Sequence, residues 1–174
     1  MSVKSKASRL MVRKQFAIRL IAILAIVAFT CGCTSAAKTK PDQSRAVTVE
    51  RLLTSPLAGI EARNNVKSAM MELYGIASAD LKRIDNRSRI LQDRHVLSMF
   101  WLEPEPVDFM SIAVAAAPCF PTEHAIRLTQ AKLHTKERTP GAQTYDAIQN
   151  GVMVSFSTTP DEKCVSYIHI ELDR

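Results

Sequence analysis

The residues able to do chemistry in this chain are few and scattered. His95, His124, His134 and His169 form no H-E-x-x-H motif, and no paired-cysteine zinc spacing accompanies them. His124 and His134 lie nearly three helical turns apart, too far for one helix to offer both to a single metal. Cys119, just ahead of a helical pattern and close to Glu123 and His124, has the neighbours of an activated thiol. The opposing reading is a disulfide, with Cys164 as oxidation partner. Glu103, Glu105 and Asp108 form an acidic loop after Phe100 and Trp101. Paired carboxylates can exchange protons or hold a cation, but Pro104 and Pro106 stiffen this loop and no general-acid partner is identifiable. Trp101, Glu103, Glu105 and Asp108 are therefore read as a contact surface. No catalytic residue, metal or cofactor is assigned. The chain also lacks G-x-S-x-G, GxGxxG and GxxxxGK[ST], and has only five glycines with which to cradle phosphate.

Charge narrows the choice of partner. The 174 residues carry 23 Lys and Arg against 17 Asp and Glu, a formal charge of +6. Lys4, Lys6, Arg9, Arg13, Lys14 and Arg19 account for the whole excess, and the first acid is Asp42. The remainder is neutral, with one basic cluster from Lys132 to Arg138, which argues against nucleic acid as a partner.

The basic stretch leads into Leu20 to Phe29, ten apolar residues without a charge. A spanning helix needs about 20. A basic start, a short apolar run and small residues, in that order, make a secretory signal. The next residues, Thr30-Cys31-Gly32-Cys33-Thr34-Ser35, resemble the lipobox of bacterial lipoprotein precursors, with Gly32 as the small residue before Cys33. Cys31, preceded by Thr30, fits the pattern less well, and Thr30 stands where the family usually has Leu or Val. The resemblance implies removal of residues 1–32, lipidation of Cys33 and stable anchoring through several acyl chains. Thr34, where an Asp would retain the protein in the inner membrane, implies the outer membrane facing the periplasm. Met11 offers a second possible start for a compact signal.

Residues 33–48 show no apolar period and read as a flexible tether, with an r.m.s. reach of roughly 20 Å. Ser35-Ala-Ala-Lys38 fits S-x-x-K, but no S-D-N or K-T-G follows, so the match is taken as chance. Residues 49–174 then form one small domain. Ser55-Pro56 opens a helix whose apolar stripe runs through Leu57, Ile60, Val66, Met70, Leu73 and Tyr74, and Gly75 stops it. Ala79 to Arg94 mixes five bases with three acids and settles on neither helix nor strand. Strands are expected over 96–102, 109–115, 144–149, 152–156 and 164–172, with a helix from Pro121 to about Leu133. Asn150-Gly151 marks a hairpin. In the last strand, Cys164, Ser166, Ile168, Ile170 and Leu172 share one face, and Val165, Tyr167, His169 and Glu171 the other.

The expected architecture is α+β: one antiparallel sheet of about five strands, helices packed on one face, and one disulfide. Export to an oxidising compartment favours the Cys119–Cys164 bridge over a free thiol. The expected function is a non-enzymatic, membrane-anchored periplasmic binding module. Its partner would be a protein or the cell wall, as for an envelope assembly component or an immunity-type inhibitor of a toxin. The alternative is an envelope hydrolase or metal-dependent enzyme centred on His124 with Glu123.

Overall fold

The computed structural model describes residues 46–134 and 142–173. The signal segment, Cys33, the tether up to residue 45 and the basic tip beyond His134 lie outside the described residues.

Helix α1 (Val49–Thr54) opens at Thr48, whose hydroxyl accepts the Arg51 N–H at 3.2 Å and so caps one of the free amides of the first turn. Asp93 Oδ2 accepts the Val49 N–H at 2.9 Å, while Leu52 and Leu53 are buried. Ala46 also belongs to the folded unit, since its carbonyl accepts from the Arg51 guanidinium at 3.0 Å. The single long helix expected from Ser55 is interrupted. Ser55–Ala58 is one 3-10 turn, and helix α2 (Ile60–Tyr74) begins only after Gly59. Gly59 has φ 128°, a conformation L side chains rarely adopt, and there the chain changes direction. Gly75 stops α2 as expected.

The ambiguous stretch after α2 is a broken edge strand. Strands β1 (Arg83–Asp85) and β2 (Arg89–Ile90) both pair with β3 (Val96–Glu103). Arginines tie this edge to the exposed carbonyls at the end of α2: Arg89 Nε donates to Leu73 O at 3.0 Å and Arg87 Nη2 to Tyr74 O at 2.8 Å. Asp85 receives the Arg87 Nε–H at 2.9 Å. That hydrogen bond holds its carboxyl at about 2, well under the usual range.

Strand β4 (Phe109–Val114) forms a hairpin with β3, helix α3 (Thr122–Thr129) crosses over, and β5 (Lys132–Leu133), β6 (Thr144–Gln149), β7 (Val152–Thr158) and β8 (Val165–Leu172) form a meander. All pairs are antiparallel, in the order β1-β3-β4-β8-β7-β6-β5 with β2 also beside β3. The last strand therefore docks against β4 and joins the two halves of the sheet. The five expected strands are present, but among the described residues the sheet has eight. β1, β2 and β5 are three, two and two residues long, too short to display an alternation. The expected α3 is shortened because Gln130 turns left-handed (φ 56°) and Lys132–Leu133 joins the sheet edge.

Alternation splits the sheet into two faces. On one, Phe100, Ile112, Ile168, Phe156 and Tyr145 are cross-strand neighbours, as are Leu102, Met110, Ile170, Val154 and Ala147. These rows share the hydrophobic core with Leu52, Leu53, Met70 and Tyr74 of the helices, and the Tyr74 ring stacks on Phe100 at 5.1 Å. The clean alternation expected along β8 breaks near its start. A register shift lets Val165 turn inward, and Ser166 Oγ donates to Thr158 O at 2.9 Å. Asn150 (φ 51°) and Gly151 (φ 76°) both adopt the positive φ that the β6–β7 hairpin needs.

The Cys119–Cys164 disulfide is present, with Cα atoms 5.4 Å apart. It overturns the reactive-thiol reading of Cys119. Next to it, Thr122 N–H donates to Lys163 O at 2.9 Å and Val165 N–H to Phe120 O at 2.9 Å, so the start of α3 is fastened to the head of β8.

Candidate functional site

The second face of the sheet gathers side chains that are remote in sequence. Register places Trp101, Ser111, His169, Ser155 and Asp146 in one row across β3, β4, β8, β7 and β6. Ser111 Oγ and His169 Nδ1 are 2.7 Å apart, and His169 Nε2 lies 3.3 Å from Glu171 Oε2. Ser155 Oγ donates to Asp146 Oδ1 at 2.7 Å, and the other carboxylate oxygen meets the His134 imidazole. Phe109 packs against both ends of the first group, 5.1 Å from the Trp101 ring and 4.9 Å from His169.

A serine, a histidine and a carboxylate in sequence invite comparison with acyl-transfer machinery. The geometry does not deliver it. Ser111 is only 1% exposed. Its backbone lies between two strands, with Trp101 opposite on one side and His169 on the other. The surrounding N–H groups belong to sheet ladders, whereas an oxyanion hole needs donors free to meet substrate. The chain of hydrogen bonds instead positions the His169 imidazole, whose side chain remains 27% exposed, on the solvent side of the sheet.

The expected contact surface divides in two. Trp101 and Glu103 are together: the indole Nε1–H donates to Glu103 Oε2 at 3.0 Å. Lys82 joins them, 2.9 Å from that carboxylate and 5.2 Å above the indole. The Lys82 hydrogen bond holds the Glu103 carboxyl below the ordinary glutamate range. Glu105 is exposed on the β3–β4 turn. Asp108 turns the other way. It is 5% exposed, with its carboxylate bonded to Arg63 Nη1 and Lys67 Nζ, both at 2.7 Å, and its carbonyl to Arg63 Nη2 at 2.6 Å. Burial pushes its carboxyl upward, but the two cations outweigh this and hold it below the ordinary range. Its φ of 48° is tolerated better by Asp than by most residues. Asp108 therefore staples α2 to the turn rather than lining a surface.

The His124 neighbourhood is simple. Its ring lies 5.5 Å from Phe120, and Glu123, with a side chain 91% exposed, faces Arg127 at 3.9 Å. Among the described residues, no three His, Cys, Asp or Glu side chains converge as a metal site, and no helix is long and apolar enough to cross a membrane.

Sequence reasoning missed Ser111, Ser155, Asp146 and the buried Arg63. The alternation along β8 did put His169 and Glu171 on one face, but cross-strand register was needed to bring Ser111 and Phe109 to them. No protein-family model, curated protein or solved structure matches the chain. Fold and site together define a small α+β domain with one apolar sheet face in the core and one aromatic and polar face toward solvent.

Proposed function

We propose that the chain is a bacterial envelope lipoprotein, acylated on Cys33 after removal of residues 1–32, whose folded domain acts as a non-enzymatic binding module. The lipid gives location, on the outer membrane facing the periplasm. The tether gives reach, and the braced sheet gives a rigid surface. The observation that carries the binding reading is the Trp101–Glu103–Lys82 cluster beside Phe109 and His169, an aromatic surface with polar groups on rigid strands. The partner is a protein or cell-wall component of the envelope, as for an assembly factor or an immunity-type inhibitor. The hydrolytic alternative centred on His124 draws no support from its surroundings, since Glu123 is turned to Arg127.

The test has two parts. Intact mass of membrane-extracted protein reads the cleavage site, the acyl chains and the two hydrogens lost to the disulfide. Cross-linking in intact cells then compares the natural chain with Trp101→Ala, Glu103→Lys and Glu105→Lys. These variants should lose a specific partner while keeping their melting temperature within a few degrees. Retention of every cross-linked partner would end this assignment. Asp108 is unsuitable for the series because its replacement disturbs the fold.

A further inference from the structure

We infer that the broken β1–β2 edge is a membrane-contact surface that rests on anionic phospholipid headgroups and stands the sheet on its edge. Six large apolar side chains are exposed among the described residues, and three of them, Leu81 (66%), Ile84 (51%) and Ile90 (75%), lie within ten residues along this edge. Register puts Ile84 opposite Trp101 and Ile90 opposite Val96, so the apolar line runs beside the indole. The same segment is basic, with five Lys and Arg against three Asp between Ala79 and Arg94. Asp85 is taken up by Arg87, and Asp93 by backbone N–H groups and His95. Among the described residues, no acid partners the exposed Arg83 or Arg94, one near each end of the edge. Exposed aliphatic groups flanked by unpaired guanidinium groups match the interface of an anionic bilayer, where apolar side chains sink below the phosphates and arginines meet them.

A strand-adding protein partner fits less well. β1 and β2 are three and two residues long, offset by the Asn86–Ser88 excursion, and charged, features that blunt an edge against strand addition. The proposed anchor also keeps the domain near lipid. This step rests on the anchored reading, in which acyl chains on Cys33 hold the folded domain beside the bilayer. Edge-on docking sets lipid on the β1 side of Trp101 and leaves its β4 side, with Phe109 and His169, for the partner.

Trp101 is the sole tryptophan, and its emission reports the contact. Membrane-extracted full-length protein is reconstituted into vesicles of phosphatidylcholine alone or with one-third phosphatidylglycerol, each with and without brominated acyl chains. Flotation reads the anchor, and bromine quenching of Trp101 reads docking. Quenching should appear in the anionic vesicles, fade at 0.5 M salt, and weaken by about fivefold in docking constant for each of Arg83→Ser and Arg94→Ser. A triple variant, Leu81→Ser with Ile84→Ser and Ile90→Ser, should still float but lose the quenching. Protein that floats with Trp101 unquenched overturns the inference and leaves the lipoprotein reading intact. Quenching in protein whose mass shows no acyl chain upholds the surface and removes the anchor. A dimer in detergent that the triple variant abolishes would assign the edge to a second copy instead, and overturn the inference.

Discussion

Strand β8 passes Ile168, His169 and Ile170 through two different environments. The two isoleucines are fully buried against the helices, while the histidine between them stands partly in solvent, bonded to Ser111 and near Glu171. The same contrast runs across the sheet. Phe100, Ile112, Ile168 and Phe156 interlock in the core, and in the opposite row of Trp101, Ser111, His169, Ser155 and Asp146 hydrogen bonds join Ser111 to His169 and Ser155 to Asp146. Large side chains removed from water hold the fold, and their replacement leaves cavities. The other row rests on a surface already made rigid and contributes less to stability. That division leaves the second face turned toward solvent.

Substitutions can break this contrast. Phe156→Ala should cost about 3–5 kcal/mol in a denaturant titration, because a fully buried aromatic against Tyr145 is lost. A cost under about 1 kcal/mol would mean that this face is not the core. Replacing both Cys119 and Cys164 with Ser should lower stability by about 4 kcal/mol, the chain-entropy value for a separation of 45 residues. Circular dichroism should show the loss as a lower melting temperature with the folded spectrum unchanged at low temperature.

Asp108→Asn should cost about 3 kcal/mol, since it leaves the 1%-exposed Arg63 without its counter-charge. Pairing Asp108→Leu with Arg63→Met should recover part of that loss, which a purely steric role for Asp108 would not allow. Acid should act on the same staple. Asp85 and Asp108 both have folded values below their unfolded ones, so their stabilisation is complete above the ordinary carboxylate range and declines as pH falls from about 4 towards 2. Melting temperatures measured through that window should drop in the natural chain, and drop less in the Asp108→Leu, Arg63→Met pair.

The smallest effect belongs to the solvent-facing row. His169→Ala should cost only about 1 kcal/mol, by leaving the Ser111 hydroxyl without its partner. Adding Ser111→Ala should cost less than the two single effects combined, which a double-mutant cycle reads directly. A loss for His169→Ala comparable with that of Phe156→Ala would erase the distinction between the faces.

Local chemistry made much of this molecule legible. Asn150-Gly151 encodes its own turn because both residues accept positive φ, and the long strands display their burial by alternation. The Cys119–Cys164 pairing followed from the compartment implied by the first 33 residues. The candidate surface was half legible. Trp101 and Glu103 share a face two residues apart, whereas Asp108, read beside them as another loop acid, points inward to α2. Nothing near Asp108 in sequence announces Arg63, which is 45 residues away.

By itself, then, the amino-acid sequence determined the α+β alternation, the hairpin and the neutral charge that follows the basic first 19 residues, because each depends on residues close together in the chain. Tertiary structure alone decided that Gly59 divides the first helical region, that the mixed stretch after α2 becomes a broken edge, and that β8 closes between β4 and β7. It also decided which carboxylates meet water and which meet arginine. Those outcomes depend on register and burial between distant segments, where desolvation and ion pairing outweigh any local preference.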